Sequence, residues 1–479
     1  MKKITTIYRL SVFVLAGSLL LTGAACNRQL ELAPENTLVD KEVFNTQGGA
    51  EQALAEAYYD LLTAIINNDA YTYGDFTTPE LLHTVYYDVY ALGQATPTDQ
   101  NVVAIWTAFF KAVNTANNVI AKIPEYGQFA AAMEDQYIAE AKFVRAYAYL
   151  ELLKFYGDGA LSGNLGGLGL PLQLTPFAGY NTGQVVARST NGEVYAQIVK
   201  DLTDALPALP DRQADDLSTR SRATKGGANA LLARTYLYMR QYDSAAAAAK
   251  NVLDRSDVYS LTTDLMQLFP ADPGGTSQNL TAEYVFALPI SQAVSSSSSI
   301  NYGPGYGYYL KLYYWISPDF INLFEAGDKR VSQLMYKGDT LYNYHPAYLT
   351  TFKFNNPNGR DNVSLIRLPE VMLTRAESLA RTGGVNNESL SLLNTVRSRS
   401  VTNAVPYVTG DFASGADLVN AILRQRVFEL AFESHYRTDL IRTGQPLHNP
   451  DVADNRKVLP VPQSEIDISG GLIKQNSGY

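Results

Sequence analysis

The chain has 479 residues, 46% hydrophobic and 18% charged, with a formal net charge of −9 and a single cysteine. That balance describes a globular chain able to bury a large core, and it excludes both a disordered chain and a disulfide framework. An acidic surface offers phosphate backbones no overall attraction, which argues against nucleic acid as a partner.

The N-terminus reads as a targeting leader. Lys2 and Lys3 supply positive charge, Leu10 to Leu21 an apolar run, and Gly23, Ala24 and Ala25 the small residues of a cleavage site before Cys26. The run is too short to remain in a bilayer as a helix, for which roughly 20 apolar residues are needed. Residues 1–25 are therefore expected to be removed. With no second cysteine to pair with, a thiol at the new N-terminus of an exported chain has one good use, as the acceptor of a lipid. LTGAACN resembles a lipoprotein signal in which Gly23 stands where Leu is usual. Residues 26–40 then read as a lipidated tether.

Helical periodicity follows. Apolar residues recur at helical spacing over 50–65, 102–124 and 139–157, with Gly157 as the stop, and the run 191–210 ends at prolines. Trp106, spaced helically with Phe109 and Phe110, belongs to a core face. Residues 225–254 are sharper: Leu232, Ala233, Tyr236, Ala245 and Val252 fall at the large, small, aromatic, small and closing positions of a tetratricopeptide unit. A weaker version spans 367–400, with Ala376, Glu377 and Ala380 before a Gly383-Gly384 turn, and Leu393 and Val396 after it. Between these helices, 157–183, 295–299 and 301–315 are rich in Gly, Pro, Ser and Tyr and predict long loops. Long loops on a helical scaffold usually carry function.

Five stretches in this order carry a resemblance: EAKFVRAYAYLELLKFYGD, RATKGGANALLARTYLYMRQYDSAAAAAKNVLD, IRLPEVMLTRAESLARTGG with its acidic pair Glu370 and Glu377, RVFELAFESHYRTDLIRTG, and VLPVPQSEIDISGGLIKQNSGY. Together they resemble the SusD/RagB nutrient-binding lipoproteins of the Bacteroidetes outer membrane, over nearly everything after Cys26. The chain departs from that pattern at Gln425, where Glu is usual, at Ser434, where Gly is common, at Ser469-Gly470-Gly471, which replaces an Asn-Pro turn, and at Ser477, which replaces Pro. The resemblance implies a mainly α fold, a tetratricopeptide-like α-superhelix packed with a loop-rich, irregular portion. Its single domain, 41–479, would comprise a helical part with loop insertions (41–260), a loop-rich ligand side (261–366), and a late helical hairpin with the C-terminal signature (367–479). It also implies a lipid-anchored protein on the cell-surface side of the outer membrane. Such a protein captures a glycan or oligosaccharide, or alternatively a peptide, and hands it to a SusC-like TonB-dependent transporter. Arg426, Glu429, Glu433, Arg437, Asp439 and Arg442 read as ion pairs that dock the C-terminal segment on the helices.

Tyrosine supplies the ligand chemistry: 33 Tyr stand against 18 Phe and 2 Trp. Sugar rings present flat C–H faces that stack on aromatic rings, and hydroxyls that need amide or carboxylate partners. The tyrosine-rich segments at 67–101 and 306–315 therefore yield the candidate ligand residues Tyr73, Asp75, Tyr90, Asn101, Tyr308, Tyr309, Tyr314 and Trp315. Catalysis has no marker. His83, His345, His435 and His448 show no metal-ligand spacing, and no phosphate loop, dinucleotide fingerprint or nucleophile elbow appears. The reading is of a binding protein and not an enzyme. It has no cofactor beyond the lipid on Cys26, and since no calcium-loop spacing occurs, no divalent cation is assigned.

Overall fold

The computed structural model describes residues 35–66, 70–83, 88–177, 184–269, 280–290, 314–337, 349–354 and 361–479. The leader, Cys26 and the tyrosines of 306–313 lie outside the described residues.

Helices dominate: α1 (Gln47–Ile66), α2 (Gln100–Tyr126), α3 (Ala131–Tyr156), α4 (Asn191–Ala205), α5 (Lys225–Tyr238), α6 (Tyr242–Leu253), α7 (Leu368–Gly383), α8 (Asn387–Ser400), α9 (Gly415–Glu429) and α10 (Tyr436–Arg442). Many begin where the sequence supplies a cap. Asp99 accepts the Asn101 N–H at 2.9 Å to open α2, Thr190 and Glu193 form a capping box on α4, and Thr224 accepts the Gly227 N–H at 3.1 Å on α5. Gly157 closes α3, its N–H reaching the Leu153 carbonyl at 3.0 Å. Successive helices pack on one another, α1 on α2, α2 on α3, α3 on α4, α5 on α6, α6 on α7, and α7 on both α8 and α9, which builds the expected superhelix.

Small residues set how closely the hairpins nest. Ala233, Ala245 and Ala249 are buried between α5 and α6, with Leu231 and Val252 beside them. Gly226 admits no side chain, because a Cβ there would lie 2.2 Å from the Tyr259 hydroxyl. Trp106 is buried as its spacing implies, packed edge-on against Tyr156 at 5.0 Å.

The portion 261–366 holds more than loops. Short strands run through it: β4 (Tyr284–Leu288), β5 (Tyr314–Ile316), β6 (Met335–Lys337), β7 (Leu349–Thr351) and β8 (Val363–Arg367). With β1 (Leu81–His83) they form a sheet of order β1-β5-β7-β6 and a β4-β8 ribbon, while β2 (Leu168–Pro171) pairs with β3 (Arg188–Thr190). The strands β5, β6 and β7 have three residues each, too short to show alternation in a sequence, and β4 and β8 are buried at every position and show none either, which is why this region reads as loop.

Beneath these strands lies a buried charge cluster. Arg367 bonds Glu283 at 2.8 Å, Glu429 at 2.9 Å and Glu433 at 2.6 Å. Arg399 reaches Glu283 at 2.6 Å and also Glu429, Arg330 bonds Asp328 at 2.6 Å, and Lys353 bonds Glu433. The cations Arg330, Lys353, Arg367 and Arg399 thus face an equal number of carboxylates, Glu283, Asp328, Glu429 and Glu433. Gln425 explains itself here: its amide oxygen accepts from Arg330 at 3.1 Å, and a carboxylate in its place would upset that balance. A second buried group joins Arg426 to Asp439 at 3.1 Å, and Arg442 to Asp439 and Glu377 at 2.6 Å each. The ion-pair reading of 426–442 holds except at Arg437. That guanidinium lies 5.1 Å from the centre of the Tyr73 ring and donates to the Lys457 carbonyl instead of to a carboxylate.

The closing Gln-Asn-x-Gly-Tyr motif is a stitch. Gln475 exchanges two bonds with Val461, at 2.7 and 2.8 Å, and Asn476 donates to the Tyr156 carbonyl at 3.0 Å and the Leu459 carbonyl at 2.8 Å. These bonds fasten the segment to the end of α3.

Candidate functional site

The sheet brings the two tyrosine-rich segments to one place. β1 and β5 are antiparallel, with Leu81 opposite Ile316, Leu82 opposite Trp315 and His83 opposite Tyr314. Alternation sends Leu81 and Ile316 into the core, and both are buried, whereas the partners Leu82 and Trp315 share the partly exposed face. Because the strands are antiparallel, the chain leaves β1 toward Tyr86 and Tyr87 from the same end at which it enters β5 from Tyr308 and Tyr309. Those four tyrosines lie outside the described residues. Trp315 and Tyr314 stand at the shared end, Tyr314 at the register position opposite His83.

Three of the sequence candidates have interior work instead. Tyr73 is buried in an aromatic cluster, with Phe76 and Tyr90 at 5.3 Å and Phe155 at 5.6 Å, all edge-on. Burial pushes its hydroxyl up to about 12, against the pull of Arg437. Tyr90 is buried and donates to Asp99, the residue that caps α2, so it holds the cap in place. Asp75 is fully buried and accepts the Ser434 N–H at 2.9 Å. Burial, and Asp75 beside it, push the carboxyl of Glu80 well above the ordinary range. Ser434 has a φ of 63°, the left-handed region that favours glycine, which accounts for the Gly common there. Gly74 allows this turn to come close: a Cβ on it would lie 2.2 Å from the Ser434 hydroxyl. Tyr73, Asp75 and Tyr90 are therefore parts of the buried interior. Asn101 is half-buried in the first turn of α2.

A second feature escaped the sequence. A cavity of about 400 Å³ lies between α2, the segment after β2, and the helix Gln463–Ile468, walled by Trp106, Phe110, Phe177 and Ile473. Asn114 fixes Phe177 by bonding both its N–H and its carbonyl, each at 3.0 Å. Glu465 closes one side, and its burial raises its carboxyl above the ordinary value while the Trp106 N–H opposes the shift. An aromatic wall with one carboxyl and the amide of Gln173 suits a ring with an apolar face and a donor at its edge. Phe177 sits in a Gly-rich stretch with no periodicity, so only the fold reveals it as a wall. Among the described residues there is no group of three or more His, Cys, Asp or Glu placed to hold a metal, and no helix long and apolar enough to cross a membrane.

Comparison with known proteins adds a third line. A family model described as "Starch-binding associating with outer membrane" matches residues 30–237, and one described as "SusD family" matches residues 340–450. SusD-like protein P2 of Formosa agariphila is 24% identical over 96% of this chain and 98% of its own length. SusD-like protein P38 of the same organism is 22% identical over 88% of each. A SusD superfamily crystal structure from Bacteroides thetaiotaomicron superposes with a TM-score of 0.76 at 24% identity, covering 90% of this chain and 99% of that one. A laminarin-binding SusD-like protein superposes with a TM-score of 0.69 at 22% identity, over 90% and 99%.

Proposed function

This chain belongs to the SusD/RagB family, and we propose that it is a surface glycan-binding protein that captures an oligosaccharide for a SusC-like, TonB-dependent transporter, without chemistry of its own. The observation that carries the ligand side is the β1–β5 pairing, which joins Leu82 to Trp315 and brings both tyrosine-rich segments to one end of the sheet. Aromatic residues gathered at one rim stack successive sugar faces, and the amides and carboxylates around them select the hydroxyls. Trp315, with Tyr314, Tyr308 and Tyr309 of the same segment, is the proposed set of stacking residues, and Asn101 is a proposed polar ligand residue. Tyr73, Asp75 and Tyr90 are buried and stand outside the proposed ligand set. The family description of starch binding and the laminarin-binding neighbour both favour a neutral glucan-like chain as the first ligand to try.

Anchoring by lipid on Cys26 keeps such a protein beside its transporter at high effective concentration, so a ligand released from the rim meets the barrel before it escapes. Cys26→Ala is expected to release the protein from the membrane, and copurification with a barrel protein from wild-type membranes tests the partnership.

Isothermal titration of the lipid-free protein against plant, fungal and bacterial oligosaccharides and a peptide digest tests the ligand. Trp315→Ala and Tyr309→Ala are each expected to weaken sugar binding by about 10-fold or more, equivalent to at least ~1.4 kcal/mol of stacking, with melting unchanged. Phe177→Ala reports on the α2 cavity. Loss there, with Trp315→Ala unaffected, would move the site to the cavity, and binding of peptides alone would replace the glycan reading.

A further inference from the structure

The widest crevice among the described pockets, about 1080 Å³, lies away from both sites above, between the start of α6, the end of α7, the length of α9 and the turn after α10. Its lining includes Arg240, Arg381, Arg424 and Arg442, and its only carboxylate is Asp439. Asp439 is buried and already bonded to Arg426 and Arg442, and Glu377 behind it is held by Arg442 at 2.6 Å and Arg381 at 2.7 Å. The guanidiniums of Arg240, Arg381, Arg424, Arg426 and Arg442 therefore stand against the two carboxylates of Glu377 and Asp439. Among these groups three positive charges are left over, in a chain whose net charge is −9; Glu325, which also faces Arg424, is neutralised by its pair with Arg397 at 2.6 Å.

Helix ends account for part of this. Arg381 and Arg442 occupy the last turns of α7 and α10, where a cation offsets the helix dipole. The same reason does not reach the other two. Arg240 has its guanidinium on the carbonyls of Ser162, at 2.7 Å, and Arg442, at 3.4 Å, which orient it without cancelling its charge. Arg424 lies exposed in the body of α9, with no carboxylate within ion-pair distance among the described residues. The wall between these cations is apolar, from Val419, Leu423 and Val427, and Tyr242 and Tyr436 add ring faces, Tyr242 lying 5.3 Å from Arg381. Planar guanidiniums along a low-dielectric wall focus their field into the crevice and match carboxylate or sulfate groups two oxygens at a time. The volume exceeds what one small anion fills.

We propose that this crevice binds an anionic oligosaccharide, one whose rings carry carboxylate or sulfate groups, a reading that rests on the glycan function above. The rings lie on the apolar and tyrosine wall, and the charged groups meet Arg240, Arg381 and Arg424.

The test is titration of the whole soluble protein with a galacturonate oligomer, a sulfated oligosaccharide, an acidic peptide and a neutral gluco-oligosaccharide of matched length. One of the two anionic sugars is expected to bind, more weakly as salt shortens the screening length. Arg424→Gln and Arg240→Gln are each expected to weaken it about tenfold, as the loss of a charge-assisted bond implies. Arg424→Gln changes only an exposed side chain on a helix, so its melting temperature should match wild type. Anionic sugars that bind no better than the neutral one, binding indifferent to both arginine changes, or binding of the acidic peptide alone each overturn the proposal. If the neutral sugar binds through Trp315 while both anionic arms are silent, the crevice proposal falls and the glycan function stands. If no sugar binds in any arm, both fall.

Discussion

The α5–α6 hairpin and the cluster around Arg367 are equally buried, yet they are held together by opposite means. The hairpin closes on Leu231, Ala233, Ala245, Ala249 and Val252, side chains with nothing to satisfy except each other. The cluster closes on cations and carboxylates that are costly to bury singly and acceptable only as a complete set. Apolar packing tolerates local loss in proportion to the volume removed. A charge network is closer to all-or-none, since each deletion strands the partners that remain. The superhelix is thus built of units that can vary, while the junction that docks strands and C-terminal segment on it is rigidly specified.

Breaking the network should have the largest effect. Arg367→Met removes the partner shared by Glu283, Glu429 and Glu433 and is expected to cost about 3–5 kcal/mol in urea unfolding. A loss below about 1 kcal/mol would mean that Arg399 and Lys353 suffice without it. Leu231→Ala in the hairpin should cost about 2–4 kcal/mol through cavity formation. Acid separates the two. Burial alone would raise the carboxyls of Glu433 and Glu377, but Arg367 and Lys353 around the first, and Arg442, Arg381 and Arg426 around the second, outweigh it and hold each at about 2. Lowered values in the folded state mean that this stabilisation is full above about pH 5 and drains away as pH falls toward 2. Each shift is worth on the order of 3 kcal/mol. His435 is buried and held well below its ordinary value by burial and by Arg234 and Arg426, so it adds an earlier loss that begins below about pH 6.5. The cost of Arg367→Met should therefore shrink in acid, while that of Leu231→Ala stays constant.

Two finer substitutions sharpen the comparison. Gln425→Glu places a further carboxylate against a balanced set and is expected to cost about 1–3 kcal/mol; a gain instead would show that Arg330 has charge to spare. Ser434→Gly relaxes a left-handed residue and should change stability least, a gain of up to about 1 kcal/mol in thermal melts. A loss would mean that the Ser434 side chain, and not only its N–H to Asp75, secures the turn.

What the sequence showed and what it hid follow the same division. Helix hairpins were legible because period and small residues are local: Ala233 to Val252, and Ala376 to Val396, sit where their spacing puts them. The charged pattern of 426–442 was legible as ion pairing, but its partners were not. Glu283, Lys353, Arg367 and Arg399 come from distant segments, each of which alone looks like a solvated charge. Tyrosine misled for a related reason. A tyrosine that stacks on a sugar and one that packs in the interior have the same local signature, so Tyr73 and Tyr90 could be separated from Trp315 only once burial was known. Asp75 was hidden further, because its partner is a backbone N–H far along the chain. Strands of three residues carry no periodic signal at all, and β1 meeting β5 is the one pairing that places the candidate rim.

That pairing has a kinetic consequence. Leu82 and Trp315 lie far apart in the chain with α2 to α6 between them, so joining them closes a long loop whose entropy is more readily offset once those helices have formed from local contacts. The helical scaffold can therefore be complete while the rim is still open. In refolding, helical signal is expected to return first and the pairing of β1 with β5 last, which sets formation of the rim behind formation of the scaffold.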